Sequence, residues 1–233
     1  MLRHPSPEII NAGAGSLALV RFPPQSHIYA VPGSVVGLTS RMQVKRILNG
    51  GLLSIPRGFG GGHVTLDKLI APSSDATASP DDVLLAPPNA ADLAILSLSA
   101  AEYTVRPRAL LALSSSLLLG TSLAFPDLSL KYSLHGSGWA ILTAPGGVYR
   151  LVLRPNELYR VKHSHLLAWS SSMHPSLVPI HDSIKPATPN SSLLTKVSTW
   201  LARKSSELLD RVFRRNHVIQ LKGPGDFYIA SRL

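Results

Sequence analysis

The sequence predicts an all-β protein in which a repeated β unit folds into a single body. A ten-residue phrase occurs three times, as Tyr29-x-Val31-x4-Val36-Gly37-Leu38, Tyr103-x-Val105-x4-Leu110-Leu111-Ala112 and Tyr159-x-Val161-x4-Leu166-Leu167-Ala168. A second phrase, a glycine pair that leads into an apolar strand, begins at Gly13, Gly136 and Gly223, with a looser copy at Gly60. Such internal repetition is typical of repeated supersecondary units and does not favour a conventional enzyme fold. The three tyrosines that open the first phrase are expected to be core residues.

The composition is that of a basic globular protein. The chain has 233 residues, enough for one all-β domain with a sizeable core. Hydrophobic residues make up 45% and charged residues only 15%. The absence of cysteine excludes disulfides, thiolate metal sites and a cysteine nucleophile. The net charge of +10 and the pI near 10.2 favour an anionic partner, although basic composition is also common in the mitochondrial matrix.

We expect a single domain over residues 9–233, with the first repeat at residues 9–70. The predicted strands of this repeat are separated by glycine and proline breaks, and they run from Leu17 to Phe22, Ile28 to Val31, Val35 to Leu38 and Val64 to Ile70. The segment from Arg41 to Leu48 is predicted to form a helical turn or two. Residues 71–89 are rich in proline, serine and aspartate, which predicts an exposed loop.

The second repeat is expected over residues 84–135. Its predicted strands are Leu93 to Leu98, Tyr103 to Arg106, Ala109 to Leu113 and Leu117 to Leu119. The uncharged stretch from Ala109 to Pro126 contains several serines and is shorter than the about 20 apolar residues of a membrane-spanning helix. We interpret it as two buried strands that turn near Gly120.

The third repeat is expected over residues 136–233. The strands Gly138 to Leu142 and Val148 to Leu153 are predicted to form a hairpin across Pro145-Gly146-Gly147. The other predicted strands are Tyr159 to Val161, Leu166 to Trp169, His217 to Leu221 and Phe227 to Ala230.

One segment, residues 193–216, departs from the β pattern. It lacks glycine and proline and has apolar residues at helical spacing, which predicts an amphipathic helical insertion capped by Ser191 or Ser192. Its basic face is the candidate contact for acidic lipid, and comprises Lys196, Arg203, Lys204, Arg211, Arg214 and Arg215. These six cations less Glu207 and Asp210 leave a net charge of four. At about 1 kcal/mol per cation near an anionic leaflet, this charge favours weak peripheral binding.

The closing residues carry a more specific resemblance. The run from Leu221 to Arg232, with the turn Gly223-Pro224-Gly225, resembles the terminal signature of the altered inheritance of mitochondria protein 24 family. Tyr29 to Leu38 resembles the opening strand pair of that family, and Glu157 to Trp169 resembles its third repeat. The predicted helical insertion resembles that of the fungal, mitochondrial branch of the family.

The resemblance has consequences for fold and function. It implies three tandem β units around a pseudo-threefold axis, like the trp RNA-binding attenuation protein, in a β-sandwich or barrel-like body. It implies a mitochondrial protein associated with the inner membrane, cardiolipin and the cristae-organising machinery. The presequence expected for this branch is not seen before the first repeat, and no secretory signal follows Met1. The family supplies no catalytic residues to carry over.

Three motifs are candidate sites of chemistry, and none of them is favoured. His163 and His165, spaced for one face of a strand, lie near His174 and His181 but have no accompanying carboxylate cluster for a metal. The run from Gly58 to Gly62 lacks the lysine and serine of a phosphate-binding loop. Ser137 lacks the context of a hydrolase nucleophile. We expect no enzymatic activity, no cofactor and no metal site.

The sequence thus favours a non-enzymatic mitochondrial protein that supports inner-membrane and cristae organisation and respiratory function as a peripheral scaffold. RNA binding is the alternative, suggested by the attenuation-protein fold and the net charge. Aromatic residues make up only 6% of the chain, whereas single-stranded RNA sites interleave aromatic and basic residues, so nucleic acid is the less favoured partner. A barrel that binds a small ligand is a third possibility.

Overall fold

The computed structural model of the protein describes residues 4–12, 15–48, 63, 65–72, 81–124, 129–179 and 217–232. These residues form an all-β structure, as predicted, in which nineteen strands are accompanied by two 3-10 turns at Pro107–Ala109 and His163–His165. No α-helix occurs among them. A helix long and apolar enough to cross a membrane is likewise not found in this part of the chain.

The strands are short and follow one another closely. The first ten are β1 (Ser6–Ala12), β2 (Gly15–Phe22), β3 (His27–Ala30), β4 (Val35–Leu38), β5 (Gln43–Leu48), β6 (Thr65–Ile70), β7 (Asp81–Leu85), β8 (Ala91–Leu98), β9 (Tyr103–Val105) and β10 (Leu110–Ser114). The remaining nine are β11 (Leu117–Ala124), β12 (Ser129–Gly136), β13 (Gly138–Pro145), β14 (Val148–Leu153), β15 (Leu158–Lys162), β16 (Leu166–Ser170), β17 (Ser176–Pro179), β18 (His217–Lys222) and β19 (Gly225–Ala230).

The strands form four antiparallel sheets. Their orders are β1-β2-β7-β4 in sheet A, β5-β6-β3-β10-β13-β8 in sheet B, β11-β12-β9-β16-β19-β14 in sheet C and β15-β18-β17 in sheet D. Each order ends in two different edge strands, so among the described residues no sheet closes on itself. The barrel-like alternative in the sequence prediction is therefore wrong for this part of the chain.

The strand order repeats with a period of six strands. Adding six to each strand number of sheet B gives the order of sheet C. Adding six to the first three strands of sheet C gives β17, β18 and β15, which are the strands of sheet D. Adding six to its last three strands, and counting on from β1 after β18, gives β4, β7 and β2. These are the strands of sheet A without its edge strand β1. Sheets D and A are thus the two halves of a third six-stranded set, divided between β15 and β4.

One irregularity aligns the repeats residue by residue. An extra residue bulges from β4, β10 and β16 at the same place relative to their partner strands. The register shifts fall at Val35/Gly37, Leu110/Ala112 and Leu166/Ala168. Val36, Leu111 and Leu167 are therefore counterparts in the three sets.

This alignment corrects the predicted register of the first phrase by one residue. Ala112 pairs with Ala30, whereas its counterpart Ala168 pairs with Val105. Ala30 is thus the counterpart of Val105, and Ile28 that of Tyr103. A slip of one residue exchanges the two faces of a strand. The fully buried side chain is accordingly Ile28, while Tyr29 is only partly buried.

The apolar core lies between sheets in three clusters. The largest joins sheets B and C and includes Leu96, Tyr132 and Tyr228. The second joins sheets A and B around Phe22, and the third joins sheets C and D around Phe227. Sheet B therefore packs against A, and C against D, which is the arrangement expected if A and D are halves of one set.

Two segments predicted to be irregular or helical are strands. The predicted helical turns from Arg41 to Leu48 are wrong for β5, because this segment pairs along its length with β6. The exposed loop predicted over residues 71–89 contains β7, which lies between β2 and β4. The polar composition of this segment predicts a loop, but the carboxylate of Asp81 is buried in β7 because it accepts a hydrogen bond from Arg41 at 3.0 Å.

Two predicted connections are also different. β13 and β14 do not form a hairpin, since β13 pairs with β8 and β10 whereas β14 pairs with β19. The chain turns at Ser115 and Ser116, and Gly120 lies within β11 opposite Ser133. Pairing with partners distant in sequence prevails over the local turn signals.

Other predictions are not tested by the fold. The helix predicted over residues 193–216 lies outside the described residues. The boundaries at residues 9–70, 84–135 and 136–233 stay predictions.

Candidate functional site: two bare strand edges and a cationic sheet

Sheets B and C each contain a central backbone seam, which is the pairing of β3 with β10 in sheet B and of β9 with β16 in sheet C. In the first seam Ala30 lies opposite Ala112, and the Val31 N–H donates to the Leu111 carbonyl at 2.8 Å. In the second, the Arg106 N–H donates to the Leu167 carbonyl at the same distance. The equivalent third seam would pair β15 with β4, but each is an edge strand among the described residues.

The side chains of β4 show the consequence of the missing seam. Val36 is 64% exposed, whereas its counterparts Leu111 and Leu167 are 1% and 7% exposed. Leu38 is 39% exposed, whereas Leu113 and Trp169 are 1% and 2% exposed. Apolar side chains that are core residues in two sets are therefore solvent-exposed in the third.

The edge of β15 is exposed in the same way. Tyr159 is 39% exposed and its ring lies 5.5 Å from that of Phe227, whereas its counterparts Tyr103 and Ile28 are buried. The prediction that all three repeated tyrosines are core residues is confirmed only for Tyr103. Tyr159 of the third copy is exposed because β15, which carries it, is an edge strand among the described residues.

Sheet D carries a cationic outer face. Arg160 and Lys162 alternate along β15 on the side opposite Val161, and Lys222 lies across from Leu158 on β18. All three cations are exposed, and Arg160 donates from Nε to Gln220 at 3.1 Å. The described strands of sheet D contain no aspartate or glutamate, and the carboxylate of Glu157, which precedes β15, accepts a hydrogen bond from the Arg154 N–H at 2.9 Å, so the strands themselves carry only positive charge.

A polar triad around a buried carboxylate links β9, β14 and β19. Tyr103 donates its hydroxyl hydrogen to Asp226, and Arg150 donates from Nε to the other carboxylate oxygen at 2.7 Å. Burial raises the pKa of the Tyr103 hydroxyl, and the hydrogen bond to Asp226 raises it further. Both carboxylate oxygens are occupied and the phenol stays protonated, so the triad is a structural network without the free base that proton transfer requires.

A second buried carboxylate is neutralised within sheet B. Asp67 is buried on β6 and accepts two hydrogen bonds from the exposed Arg46 of β5, at 2.8 Å and 3.3 Å. Hydrogen bonding to Asp67 raises the pKa of the Arg46 guanidinium. The pair occupies a position where sheet D has Leu177 opposite Ile219, so the repeated architecture does not require charge there.

The candidate metal ligands are engaged elsewhere. His163 and His165 lie on a 3-10 turn rather than a strand, where His163 contacts Arg106 at 2.9 Å and His165 contacts the Ala230 carbonyl at 2.7 Å. No group of three or more potential metal ligands occurs among the described residues. His181 lies outside them.

The other predicted motifs have simple outcomes. The Ser137 hydroxyl accepts a hydrogen bond from the Ala100 N–H at 3.1 Å. Residues 58–62 and the candidate lipid contacts lie outside the described residues, the latter being Lys196, Arg203, Lys204, Arg211, Arg214 and Arg215.

The comparison with protein families identifies the family of the chain. The sequence profile described as mitochondrial biogenesis AIM24 matches residues 8–232, which is nearly the entire chain. The chain belongs to the AIM24 family. The predicted resemblance is confirmed, and the family's description connects AIM24 proteins with mitochondria.

The AIM24 chain also has a similar solved structure. A crystal structure of a protein from Streptococcus pyogenes superposes with a TM-score of 0.67 and 18% identity, covering 97% of this chain and 93% of that one. At this identity the likeness concerns the fold alone. No curated protein matches the AIM24 chain.

The sequence contains a signal for the bare edges in the sizes of three aligned residues. The three bulge segments are Val35-Val36-Gly37, Leu110-Leu111-Ala112 and Leu166-Leu167-Ala168. The first copy in this AIM24 chain has smaller residues at each position. Such a loss of side-chain volume is consistent with a segment that buries less surface than its counterparts.

Proposed function

We propose that the protein is a non-enzymatic mitochondrial scaffold that binds peripherally to an anionic membrane surface. The cationic face of sheet D carries the proposal, because Arg160, Lys162 and Lys222 are exposed together on adjacent strands. Each cation near an anionic leaflet contributes about 1 kcal/mol, so the three give about 3 kcal/mol of attraction. This is enough for reversible association but not for anchoring.

The inner mitochondrial membrane and its cardiolipin are the proposed surface. Family membership supports the mitochondrial setting. The basic face predicted over residues 193–216 is proposed as a second contact, and it enters the chain between β17 and β18 of the same cationic sheet. Two such contacts would strengthen membrane binding and leave the remaining sheets accessible to proteins of the cristae-organising machinery.

We further infer that the six-strand periodicity reflects three units around a pseudo-threefold axis, as in the trp RNA-binding attenuation protein. The repeated sheet order and the three equivalent bulges support this inference. Superposition of the three strand sets in an experimental structure tests it, and rotations far from one third of a turn would contradict it.

Liposome flotation tests the membrane proposal. The wild-type protein should float with vesicles that contain cardiolipin and remain at the bottom with neutral vesicles. The variant R160E/K162E/K222E should lose flotation, whereas K45E/R108E/R232E, which reverses three exposed cations outside sheet D, should retain it. Equal flotation of the two variants, or equal binding to neutral vesicles, would refute the role of sheet D.

RNA binding is the competing outcome of the same experiment. Salt-dependent retention of a single-stranded RNA in a filter-binding assay, lost in R160E/K162E/K222E and not competed by cardiolipin vesicles, would assign sheet D to nucleic acid. We expect no retention, since Tyr159 is the only aromatic residue on the described strands of sheet D.

A further inference from the structure

The two bare edges are complementary, because the strands equivalent to them pair with each other in both completed seams. β15 is the counterpart of β3 and β9, and β4 is the counterpart of β10 and β16. We propose that β15 of one molecule pairs with β4 of a second copy, so that the third seam is formed between chains. β15 and β4 of one chain are not paired with each other among the described residues, so this seam is open within the molecule. The interaction surface overlaps the membrane contact proposed above, because Arg160 and Lys162 lie on β15.

The completed seams specify the register of this pairing. In the second seam Val105 lies opposite Ala168, and Thr104 opposite Trp169. The equivalent register places Val161 opposite Gly37 and Arg160 opposite Leu38. Both completed seams have an alanine at the position of Gly37, so the intermolecular pair keeps the small residue that lies at the centre of each seam.

Charge selects this pairing over the symmetric one. Two β15 edges placed antiparallel would bring Arg160 and Lys162 of both chains together, and like charges on paired strands are destabilising. β4 carries no charged residue, so it can approach a cationic edge without repulsion. Lys and Arg on an exposed edge strand also act against unspecific pairing, which leaves β4 as the suitable partner.

Exposure distinguishes these edges from the other edge strands. Leu118 of β11 and Val152 of β14 are also exposed, but their counterparts Gln43 and Ser97 are exposed too. Val36 and Leu38 are exposed where both counterparts are buried. Burial of these two side chains and of Tyr159 would restore the environment that the other two seams provide.

The pairing joins different surfaces of the two molecules and is therefore heterologous. Each molecule that receives a strand on β15 still offers its own β4, so assembly continues head to tail until a ring closes or a filament forms. The assembly should consequently grow with protein concentration rather than stop at a dimer.

Engineered cysteines test the proposal directly, because the natural chain contains none. Residues opposite each other in antiparallel strands have Cα atoms about 4.5–5.5 Å apart, within the range of a disulfide. A size-tagged L38C protein mixed with untagged R160C and oxidised should give a disulfide-linked heterodimer. The matched pair L118C and V152C, both at exposed edges, should give far less. No excess over this control would overturn the proposal.

The double variant L38C/R160C separates the two ways of forming the third seam. Oxidation should give a ladder of linked multimers whose length rises with concentration. Complete conversion to an intrachain disulfide at every concentration would show that the seam closes within one molecule and would overturn the proposal.

Sedimentation velocity of variants without cysteine provides the second measurement. Wild-type protein should show an average mass that rises with concentration. V36D should remain monomeric, while L118D should behave as wild type, and equal thermal melting of both variants confirms that the fold is intact. A wild-type protein that stays monomeric throughout would overturn the proposal.

Discussion

Tyr103 of β9 donates a hydrogen bond to Asp226 of β19, a residue far along the chain, and thereby holds a buried carboxylate between two strands of sheet C. Without this donor, the buried carboxylate of Asp226 keeps only the hydrogen bond from Arg150 among those described above. We expect Tyr103→Phe to lower the free energy of unfolding by about 1.5–3 kcal/mol, the range for hydrogen bonds to charged groups. Urea denaturation measures the loss.

Two matched variants identify the source of that loss. Tyr149→Phe removes a hydroxyl from an exposed tyrosine and should be nearly neutral. Arg150→Gln removes the second donor to Asp226 but affects a side chain that is 60% exposed, so its cost should be smaller than that of Tyr103→Phe. Equal effects of Tyr103→Phe and Tyr149→Phe would contradict a structural role for the triad.

Two histidines are expected to make the protein less stable in mild acid. Burial lowers the pKa of His27, to which Lys68 adds repulsion, and burial lowers the pKa of His63. Between these lowered values and the ordinary value of 6.5, the unfolded chain binds more protons than the folded one. Stability contributed by the neutral rings is therefore full above pH 6.5 and decreases as the pH falls below it.

The acid effect is measured by the melting temperature at a series of pH values. H27Q/H63Q should flatten the decrease below pH 6.5, and the double variant is compared with wild type under identical conditions. An identical pH profile in H27Q/H63Q and wild type would assign the acid sensitivity to other groups.

The buried carboxylate of Asp67 should depend on Arg46 only as long as the carboxylate is present. Arg46→Leu leaves Asp67 buried beside an apolar side chain and should lower the melting temperature. R46L/D67I installs the pair found as Leu177 and Ile219 in sheet D and should melt at or above the wild-type temperature. Asp67 is the buried member of the pair, and replacement of a paired buried charge by apolar residues is often neutral or stabilising.

Thermal melting of four proteins forms a double-mutant cycle for this pair. Wild type, R46L, D67I and R46L/D67I are compared under one condition. A double variant no more stable than R46L would show that the strand environment around Asp67 has diverged from that around Ile219.

Gly223 is expected to tolerate no side chain. A Cβ there would lie 2.2 Å from the Arg154 carbonyl oxygen and 2.8 Å from the Leu153 Cβ, so the backbone must move. Overpacking of this kind costs about 1–3 kcal/mol, and we expect Gly223→Ala to lose that amount in urea denaturation. Gly15→Ala, at a glycine with open space, is the control and should be nearly neutral.

Local composition was sufficient for the fold class and for most strands. The continuous apolar runs within β2, β8, β10 and β16 appear directly in the sequence. The strands β1, β5, β7, β12 and β17 are not predicted from the sequence. β12 in particular buries Lys131 beside Tyr132, and a buried lysine gives no apolar signal.

Pairing could not be predicted, because it depends on residues distant in sequence. The one-residue error at Tyr29 arose because an aromatic repeat was aligned by residue type, whereas the strand register places Ile28 in the core. The bare edges were missed for the same reason. Val36 and Leu111 are both apolar in the sequence, and only the partner strand decides which one is buried.

The periodic strand order has a consequence for how the protein folds. Sheet B contains β10 and β13 in addition to β3, and sheet C contains β19 in addition to β9, so neither sheet is built from six consecutive strands. Long-range pairing of this kind slows folding, since loops must close before contacts compensate for them. Partly synthesised chains would expose unpaired strands, which makes them prone to aggregation. We therefore expect slow refolding and unstable truncation products, with the last strand, β19, required before sheet C can form.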